Sequence, residues 1–227
     1  MPDAILFFAA GFGTRMRPLT DDRPKPLVPL LGRPMIEHAL DLAAEAGVTR
    51  RVANAHYLAE QIAAHLAPKG VEISLEQGEI LDTGGGLRAA RPLLGAGPVF
   101  TMNSDAVWRG PNPLTLLRAA WDPARMSALL MCIPPAQAIG HGGAGDFHAD
   151  DTGRLTRGPG MIYGGAQIID PATTDGIEDD VFSLNRVWDR LIGQGRLFGL
   201  AYPGHWCDIG TPEGLARAET LLGAADV

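Results

Sequence analysis

The sequence predicts a three-layer α/β/α fold built on a doubly wound, mainly parallel sheet. Short apolar segments of strand length alternate along the chain with segments of helical periodicity, which is typical of βαβ units. The first apolar segment, residues 4–9, runs directly into a glycine-rich turn, as expected at the end of a buried central strand. The 227 residues are enough for a substantial core, and we expect a single domain over residues 1–227.

Apolar runs predict the strands of this sheet. They cover residues 4–9, 51–55, 71–75, 98–102, 126–133, 161–169 and 197–201. The second half is less regular, because a glycine-rich loop at 140–145 is followed by a turn at 150–153 that is typical of a hairpin. We therefore expect a small antiparallel lid in that part of the chain.

Four segments with helical patterns accompany the strands. The first covers residues 35–43, and its apolar face comprises Ile36, Ala39, Leu40 and Ala43. Residues 58–66 and 182–192 repeat this periodicity. The last helix is expected to begin at 211–213, where a threonine cap precedes a proline and an acid.

A phosphate-binding turn is predicted after the first strand. Gly11 and Gly13 let the chain turn sharply and bring backbone N–H groups close to an anion. Arg15 adds a planar, permanent charge, and Lys25 lies between two prolines that restrict its position. The dinucleotide fingerprint is excluded because Met16 replaces its third glycine, and no GxxxxGK[ST] motif occurs. The cluster therefore predicts a triphosphate site of another type.

The segment GFGTRMRPLTDDRPKPL resembles a family signature, GxGTRMRPLT followed by a short spacer and PKPL. The family comprises the nucleotidyltransferases that make nucleotide sugars from a nucleoside triphosphate and a sugar 1-phosphate. The resemblance implies a Rossmann-like fold with a nucleotide-binding part at about 1–110 and a sugar-binding part at about 111–227. It also implies two catalytic cations, Lys25 at the α-phosphorus and Arg15 at the leaving pyrophosphate. Nucleotide contacts are expected from Ala10, Gly11, Gly13, Thr14, Arg15 and Lys25.

Two acidic residues are candidates for a metal site. Asp105 follows the predicted strand 98–102, and the carboxyl end of a strand in an open parallel sheet faces the ligand cleft. Its carboxylate could hold a hard cation against phosphate oxygens, although a single aspartate after a strand is commonly a turn former or a helix cap. Asp208 lies in a segment that we expect to be a tight, glycine-flanked loop. The family resemblance assigns both acids as Mg²⁺ ligands.

Base selection is expected in residues 79–86. Family members have a short loop here, with an acid or glutamine and then small residues whose backbone groups meet the base edge. The resemblance nominates Glu79 and Gly84, together with Asn103 for the ribose or base, whereas Asp82 replaces the glycine of many members. A glycine-rich entry into a helix explains the same residues equally well.

Sugar contacts are expected from the second half of the chain. Asp146 could accept hydrogen bonds from sugar hydroxyls, and the pair of glycines that ends at Gly165 could let a pyranose approach the backbone. Asn185 could recognise an acyl or hydroxyl substituent. For a sugar that carries a carboxylate, the candidate donors are Asn185 and backbone amides near residues 142–145.

Within the family, the chain resembles the uridylyltransferases that act on N-acetylmuramic acid α-1-phosphate in bacterial cell-wall recycling. This resemblance rests on the GHGGAGDF loop, the TGGG turn, the GHWCDIGT segment and a length without room for an appended domain. A mannose-1-phosphate guanylyltransferase is the alternative, because the same phosphate turn serves both. A non-catalytic nucleotide-binding module is a third possibility, which the presence of Lys25, Asp105 and Asp208 disfavours.

The composition limits the classes of binding partner that we expect. A formal net charge of −7 argues against nucleic acid and anionic membranes and leaves small-molecule substrates as the expected partners. Residues 1–3 lack the positive region of a signal peptide, and the apolar run after them is too short to span a membrane. The two cysteines, Cys132 and Cys207, predict no disulfide framework. We expect a cytoplasmic protein. The sequence does not indicate whether it is a monomer or an oligomer.

Overall fold

The computed structural model describes residues 1–223, so the last four residues of the predicted domain 1–227 lie outside the described residues. No described helix is long and apolar enough to cross a membrane. The described helices are α1 Met35–Glu45, α2 Ala59–Leu66, α3 Asp82–Leu94, α4 Pro113–Ala120, α5 Leu184–Gly193 and α6 Pro212–Gly223. The described strands are β1 Ala4–Phe8, β2 Pro29–Leu30, β3 Arg33–Pro34, β4 Arg50–Ala55, β5 Val71–Leu75, β6 Val99–Asn103, β7 Ala106–Arg109, β8 Ala128–Ile133, β9 Ala138–Ile139, β10 Phe147–Ala149, β11 Leu155–Arg157, β12 Ile162–Ile169, β13 Leu197–Ala201 and β14 His205–Asp208.

Seven strands form the central sheet in the order β13-β8-β12-β6-β1-β4-β5. β1 pairs in parallel with β4 and β6, and the pairs β4–β5 and β8–β13 are also parallel. β12 runs antiparallel to both of its neighbours, β6 and β8. The sheet is therefore mainly parallel, as predicted, and the carboxyl ends of β1, β4 and β6 lie at one edge.

Helices cover both faces of the sheet because successive strand side chains point to opposite faces. On β1, Ile5 and Phe7 belong to a buried cluster that also contains apolar residues of α1, α2 and α4. Ala4 and Leu6 belong to a second cluster with residues of α3 and α5. The three-layer α/β/α, doubly wound architecture predicted from the sequence is thus confirmed.

Side-chain caps set the starts of three helices. The side chains of Asn112, Ser183 and Thr211 accept hydrogen bonds from backbone N–H groups in the first turns of α4, α5 and α6. These N–H groups have no partner within the helix, so the caps satisfy them. Prolines begin α4 and α6, at a position where no N–H is needed. The predicted start of the last helix at 211–213 is confirmed.

A smaller sheet follows β6. β14 pairs antiparallel with β7 and parallel with β9, and α6 covers this sheet through Ala218 and Leu221. The prediction of a loop around Asp208 is wrong, since His205–Asp208 is a strand held by β7. Strands β10 and β11 form the hairpin predicted around 150–153, which is the expected small antiparallel region.

Gly85→Ala is expected to destabilise the fold, because α3 packs against the segment before α5 without room for a methyl group. A Cβ built on Gly85 would lie 2.3 Å from the backbone oxygen of Asp180, which no side-chain rotation can move. Overpacking of this kind costs about 1–3 kcal/mol. In a chain of this size, Tm should then fall by about 2–12 °C, measured by thermal unfolding.

Gly193→Ala is the matched control. Gly193 is the last residue of α5, and a Cβ there would meet no atom within 4 Å. Alanine is preferred over glycine in a helix by about 0.5–1 kcal/mol, so Tm should stay constant or rise. An equal loss of Tm in both variants would contradict the steric explanation.

Candidate active site

Two adjoining cavities open beyond the carboxyl ends of β1 and β6. The first, which we call the cradle cavity, measures about 250 Å³ and is lined by Phe8, Ala10, Gly11, Asn54, Ile80, Asp82, Thr83, Asn103 and Asp105. The second, the hairpin cavity, measures about 280 Å³ and is lined by Phe8, Asp82, Thr83, Asn103, Asp146, Arg157, Tyr163, Ser183, Leu184, Asn185 and Trp188. Because they share four lining residues, the two cavities form one cleft.

The turn after β1 is shaped by the close approach of Lys25 to Gly13. Gly13 has a φ of 63°, in the left-handed region, and a Cβ built on it would lie 2.9 Å from Lys25 Cβ. Thr20 Oγ1 donates a hydrogen bond of 2.8 Å to Gly13 O, which fixes the turn from the other side. Lys25 itself begins a short 3₁₀ turn after Pro24. The turn therefore holds the lysine stem in one place.

Asp105 and Asp208 are brought together by the pairing of β7 with β14. In this pairing Asp208 stands opposite Ala106, and Ile209 N donates a hydrogen bond of 2.8 Å to Asp105 O. Lys25 Nζ forms an ion pair of 2.5 Å with Asp105 Oδ2. A Cβ built on Gly210 would lie 2.9 Å from Asp208 Oδ2 and 3.0 Å from Arg15 Nη1, so both groups lie against this glycine. Two acids and two cations thus meet beside the cradle cavity.

Burial raises the pKa of the Asp208 carboxyl, and the neighbouring Asp105 raises it further. Lys25, Arg15 and His141 act in the opposite direction on the same pKa. The charged form of Asp208 is therefore disfavoured by its burial and by Asp105. A cation bound between the two acids would favour this charged form.

The two carboxylates fit a hard divalent cation such as Mg²⁺. Oxygen ligands suit this ion, which is commonly held by one or two carboxylates while water and substrate phosphates complete its shell. Among residues 1–223, no third acidic, histidine or cysteine side chain joins them to make a larger ligand cluster. Asp105 and Asp208 would thus supply the protein ligands.

A buried polar network ties the turn after β1 to the start of α3. Asn54 Oδ1 accepts a hydrogen bond of 2.7 Å from Ala9 N, and Asn54 Nδ2 donates one of 2.7 Å to Glu76 Oε1. Glu76 Oε2 accepts a hydrogen bond of 2.9 Å from Leu81 N. Both side chains are only 3% exposed. Since unpaired buried polar groups are costly, this network fixes both walls of the cradle cavity.

The hairpin cavity has a charged and aromatic lining. Asp146 Oδ2 accepts a hydrogen bond of 2.8 Å from Tyr163 N, which holds this carboxylate at the wall. Arg157 forms an ion pair with Asp189 and donates a hydrogen bond of 2.8 Å to Asn185 Oδ1. The cavity can therefore both accept hydrogen bonds from hydroxyls and attract an anion.

Six of the fourteen predicted site residues line the cleft, namely Ala10, Gly11, Asn103, Asp105, Asp146 and Asn185. Lys25 and Asp208 lie outside the linings but adjoin Asp105, and Gly13 packs against Lys25 in the turn. Glu79 is exposed outside both linings, and Gly84 is absent from them because it packs on Phe182, whose oxygen accepts its N–H. A Cβ on Gly165 would lie 2.9 Å from the Asn103 side chain, so this glycine supports Asn103 from behind. Thr14 and Arg15 are exposed and also lie outside the linings.

Sequence reasoning missed Asn54, Glu76 and Arg157. Asn54 could have been noticed, because it is a polar residue among the buried apolar residues that end β4, the strand beside β1. Glu76 lies directly after β5 and could have been noticed in the same way. Arg157 left no such signal, since its position depends on residues far away in the sequence.

A doubly wound sheet with a glycine-rich turn after its first strand, and with Asp105 after the neighbouring strand β6, is typical of a nucleotide-binding protein. The comparison with protein families identifies the class as a nucleotidyltransferase. The chain belongs to the MobA-like NTP transferase domain family, whose model matches residues 5–141.

Two relatives illustrate the range of the similarity. The N-acetylmuramate alpha-1-phosphate uridylyltransferase of Caulobacter vibrioides is 39% identical over 242 residues, which cover 99% of this chain and 98% of the relative. The mannose-1-phosphate guanyltransferase of Schizosaccharomyces pombe is 29% identical over 92% of this chain and 61% of the relative. The match thus covers nearly the whole length of the first relative but only part of the length of the second.

A solved structure confirms the fold. HddC from Yersinia pseudotuberculosis, crystallised in complex with GMP-PN, superposes with a TM-score of 0.75 and covers 96% of this chain and 99% of that chain. The sequences are 20% identical, so this likeness supports the architecture alone.

Alanine at Gly11 and at Gly13 should separate ligand binding from folding. A Cβ on Gly11 meets no atom within 4 Å, so it would stand in open space beside the cradle cavity and weaken nucleoside triphosphate binding roughly tenfold at unchanged Tm. Alanine at Gly13 adds left-handed strain of about 1–2 kcal/mol to its contact with Lys25, so Tm should fall. Calorimetric titration and thermal unfolding measure both effects, and the opposite pattern would contradict this assignment.

Proposed function

We propose that the protein transfers a uridylyl group from UTP to N-acetylmuramic acid α-1-phosphate, releasing pyrophosphate and forming a nucleotide sugar. The observation that carries the proposal is the meeting of Lys25, Asp105 and Asp208 beside a cleft with two adjoining cavities. Each cavity would take one substrate, and the charged groups beside the cradle cavity suit the reaction of two phosphates. The identity of the substrates is supported by the full-length similarity to the Caulobacter vibrioides uridylyltransferase.

The proposed reaction needs charge compensation more than proton transfer. An oxygen of the sugar phosphate attacks the α-phosphorus, the bond from this phosphorus to the oxygen bridging to the β-phosphate breaks, and pyrophosphate leaves. The second pKa of a phosphate monoester is about 6, so the attacking group is already ionised at neutral pH. Catalysis therefore consists mainly of positioning and electrostatic stabilisation.

The basic residues of the turn supply part of this stabilisation. Lys25 is held at Asp105 and would neutralise charge that grows around the α-phosphorus. Arg15 and the backbone N–H groups of the turn would hold the departing phosphates. A Mg²⁺ ion held by Asp105 and Asp208 would supply Lewis-acid stabilisation of the phosphate oxygens.

The cavities suggest how the substrates divide between the two parts of the chain. We propose nucleotide contacts from Ala10, Gly11 and Asn103, in the part at about 1–110, because these residues line the cradle cavity. We propose sugar contacts from Asp146 and Asn185, in the part at about 111–227, because these line the hairpin cavity. With such substrates the enzyme would act in the cytoplasm, in the recycling of cell-wall sugars.

A guanylyltransferase acting on mannose 1-phosphate is the second candidate. The partial similarity to the Schizosaccharomyces pombe enzyme favours it, and the same phosphate turn would serve GTP. The two candidates differ in the base and in the sugar. Both can therefore be tested in a single panel of substrates.

Asp208→Asn is expected to remove activity while stabilising the metal-free protein. Burial and Asp105 raise the folded-state pKa of Asp208, so its charge destabilises the fold at pH values above the unfolded pKa of about 3.9. Removing the charge should raise Tm at pH 7 in chelator. Turnover should fall by at least about 100-fold, as is usual when a preorganised charge partner is lost. Pyrophosphate release and thermal unfolding provide the two measurements.

Asp105→Asn is the comparison for this variant. It should lose activity to a similar extent but raise Tm in chelator less than Asp208→Asn does, because Lys25 loses its ion-pair partner while the repulsion on Asp208 is relieved. Mg²⁺ should raise the Tm of the wild-type protein and have little effect on either variant. Full wild-type activity in excess chelator would show that the two acids do not act through a metal.

UTP with N-acetylmuramic acid α-1-phosphate should give a higher kcat/KM than GTP with mannose 1-phosphate. Ile80 and Asp82 wall the cradle cavity, and we expect them to crowd the second ring of a purine. Mispaired buried polar groups can add discrimination of up to about 10⁴. Pyrophosphate release from five nucleoside triphosphates with a panel of sugar 1-phosphates measures this preference. The reverse order would establish the guanylyltransferase, and no release from any pair would leave a nucleotide-binding module.

A further inference from the structure

We propose that Arg157 is a specificity residue that binds a carboxylate on the sugar 1-phosphate. The proposal rests on the proposed function and extends it, because it assigns the selection of an acidic sugar to one side chain. The lactyl ether of N-acetylmuramic acid carries such a carboxylate, and the corresponding sugar without the ether is N-acetylglucosamine. The candidates expected from the sequence, Asn185 and the amides near 142–145, did not include this arginine.

The guanidinium of Arg157 is held at the cavity wall from several sides. Its Nε forms a hydrogen bond of 2.7 Å with Asp189 Oδ1, and its Nη2 donates one of 2.8 Å to Asn185 Oδ1. Its central carbon lies 4.7 Å from the ring centre of Phe147 and 5.8 Å from that of Trp188. A guanidinium fixed by ion pairing and by two aromatic rings loses little further entropy when it binds a ligand.

One donor group of this arginine remains available. Nη1 of Arg157 donates no hydrogen bond to any of residues 1–223, whereas Nε and Nη2 are both engaged. The side chain is 37% exposed and lines the hairpin cavity. A ligand carboxylate can therefore bind at Nη1 without displacing Asp189.

The other charges of the cavity favour this position for an anion. Among the described residues that line the hairpin cavity, Arg157 is the basic one, while Asp82 and Asp146 are acidic. Asp146 is held at the wall by Tyr163 N and would repel a carboxylate, although it suits sugar hydroxyls. An acidic substituent thus has one favourable site, and this polarity would also orient the sugar ring.

A purely structural role for Arg157 must be distinguished from this one. The residue lies on β11 and reaches Asn185 and Asp189 of α5, so it also joins the hairpin to that helix. A structural role would affect every sugar 1-phosphate alike. A role in carboxylate binding would change the ratio of kcat/KM between the sugar with the carboxylate and the sugar without it.

The test measures this ratio for UTP with N-acetylmuramic acid α-1-phosphate and with N-acetylglucosamine α-1-phosphate. Arg157→Gln should lower the ratio about 10- to 100-fold, mainly through KM for the acidic sugar, as expected for the loss of a charge-assisted hydrogen bond. Arg157→Lys keeps a charge but not the fixed planar donor, so the ratio should fall by a smaller factor. If Arg157→Gln fails to fold, the ratio measured with Arg157→Lys decides, and an unchanged ratio there overturns the proposal.

Arg186→Gln is the matched control. Arg186 lies on α5, the helix that Arg157 contacts, and forms an ion pair with Asp179, but it is not part of the cavity lining. Its substitution should leave the ratio unchanged. An equal loss for both sugars in Arg157→Gln would show a structural role and overturn the proposal. A wild-type enzyme that is active on both sugars without preference would overturn it as well, whereas no pyrophosphate release from any substrate pair would contradict the proposed function itself.

Discussion

The antiparallel pairing of β7 with β14 is the interaction on which the cleft depends. It places Asp208 opposite Ala106, directly beside Asp105, although the two acids are far apart in the sequence. Two neighbouring carboxylates, one of them largely buried, are unfavourable without a cation. Lys25 offsets part of this cost through its ion pair with Asp105. The strand pairing therefore holds two carboxylates close together. Their repulsion would be relieved when a cation binds between them together with anionic phosphates.

A second constraint is the buried network of Asn54 and Glu76. It joins Ala9, at the end of β1, to Leu81, just before α3. The two walls of the cradle cavity thus keep a fixed separation, because a shift of either wall would leave a buried polar group unpaired. The glycines that begin α3 have a related role, since a Cβ on Gly86 would lie 2.8 Å from both Asn54 Nδ2 and Glu76 Oε1. The small residues predicted to meet the base thus partly serve packing.

Local patterns predicted much of the fold and about half of the cleft. The central strands are apolar runs, and the phosphate turn is continuous in sequence, so both could be recognised without tertiary information. β14 was missed because its strand character depends on pairing with β7 and on cover from α6, which no local pattern shows. Arg157 was missed for a similar reason, since aromatic rings from β10 and α5 fix its position. Contacts between distant side chains are the part of a site that one sequence reveals least.

The groups suited to phosphate chemistry and those suited to sugar recognition stand in structurally different regions of the cleft. The groups suited to phosphate chemistry stand on the turn after β1 and on strand ends, where backbone pairing and a buried network fix them. The groups suited to recognising a sugar stand on a hairpin of two three-residue strands and on α5, joined by side-chain contacts at the surface. Substitutions in the second region can alter the lining of the hairpin cavity without disturbing the central sheet. A shared phosphate site can therefore serve different sugars when only the hairpin and the helix opposite it change.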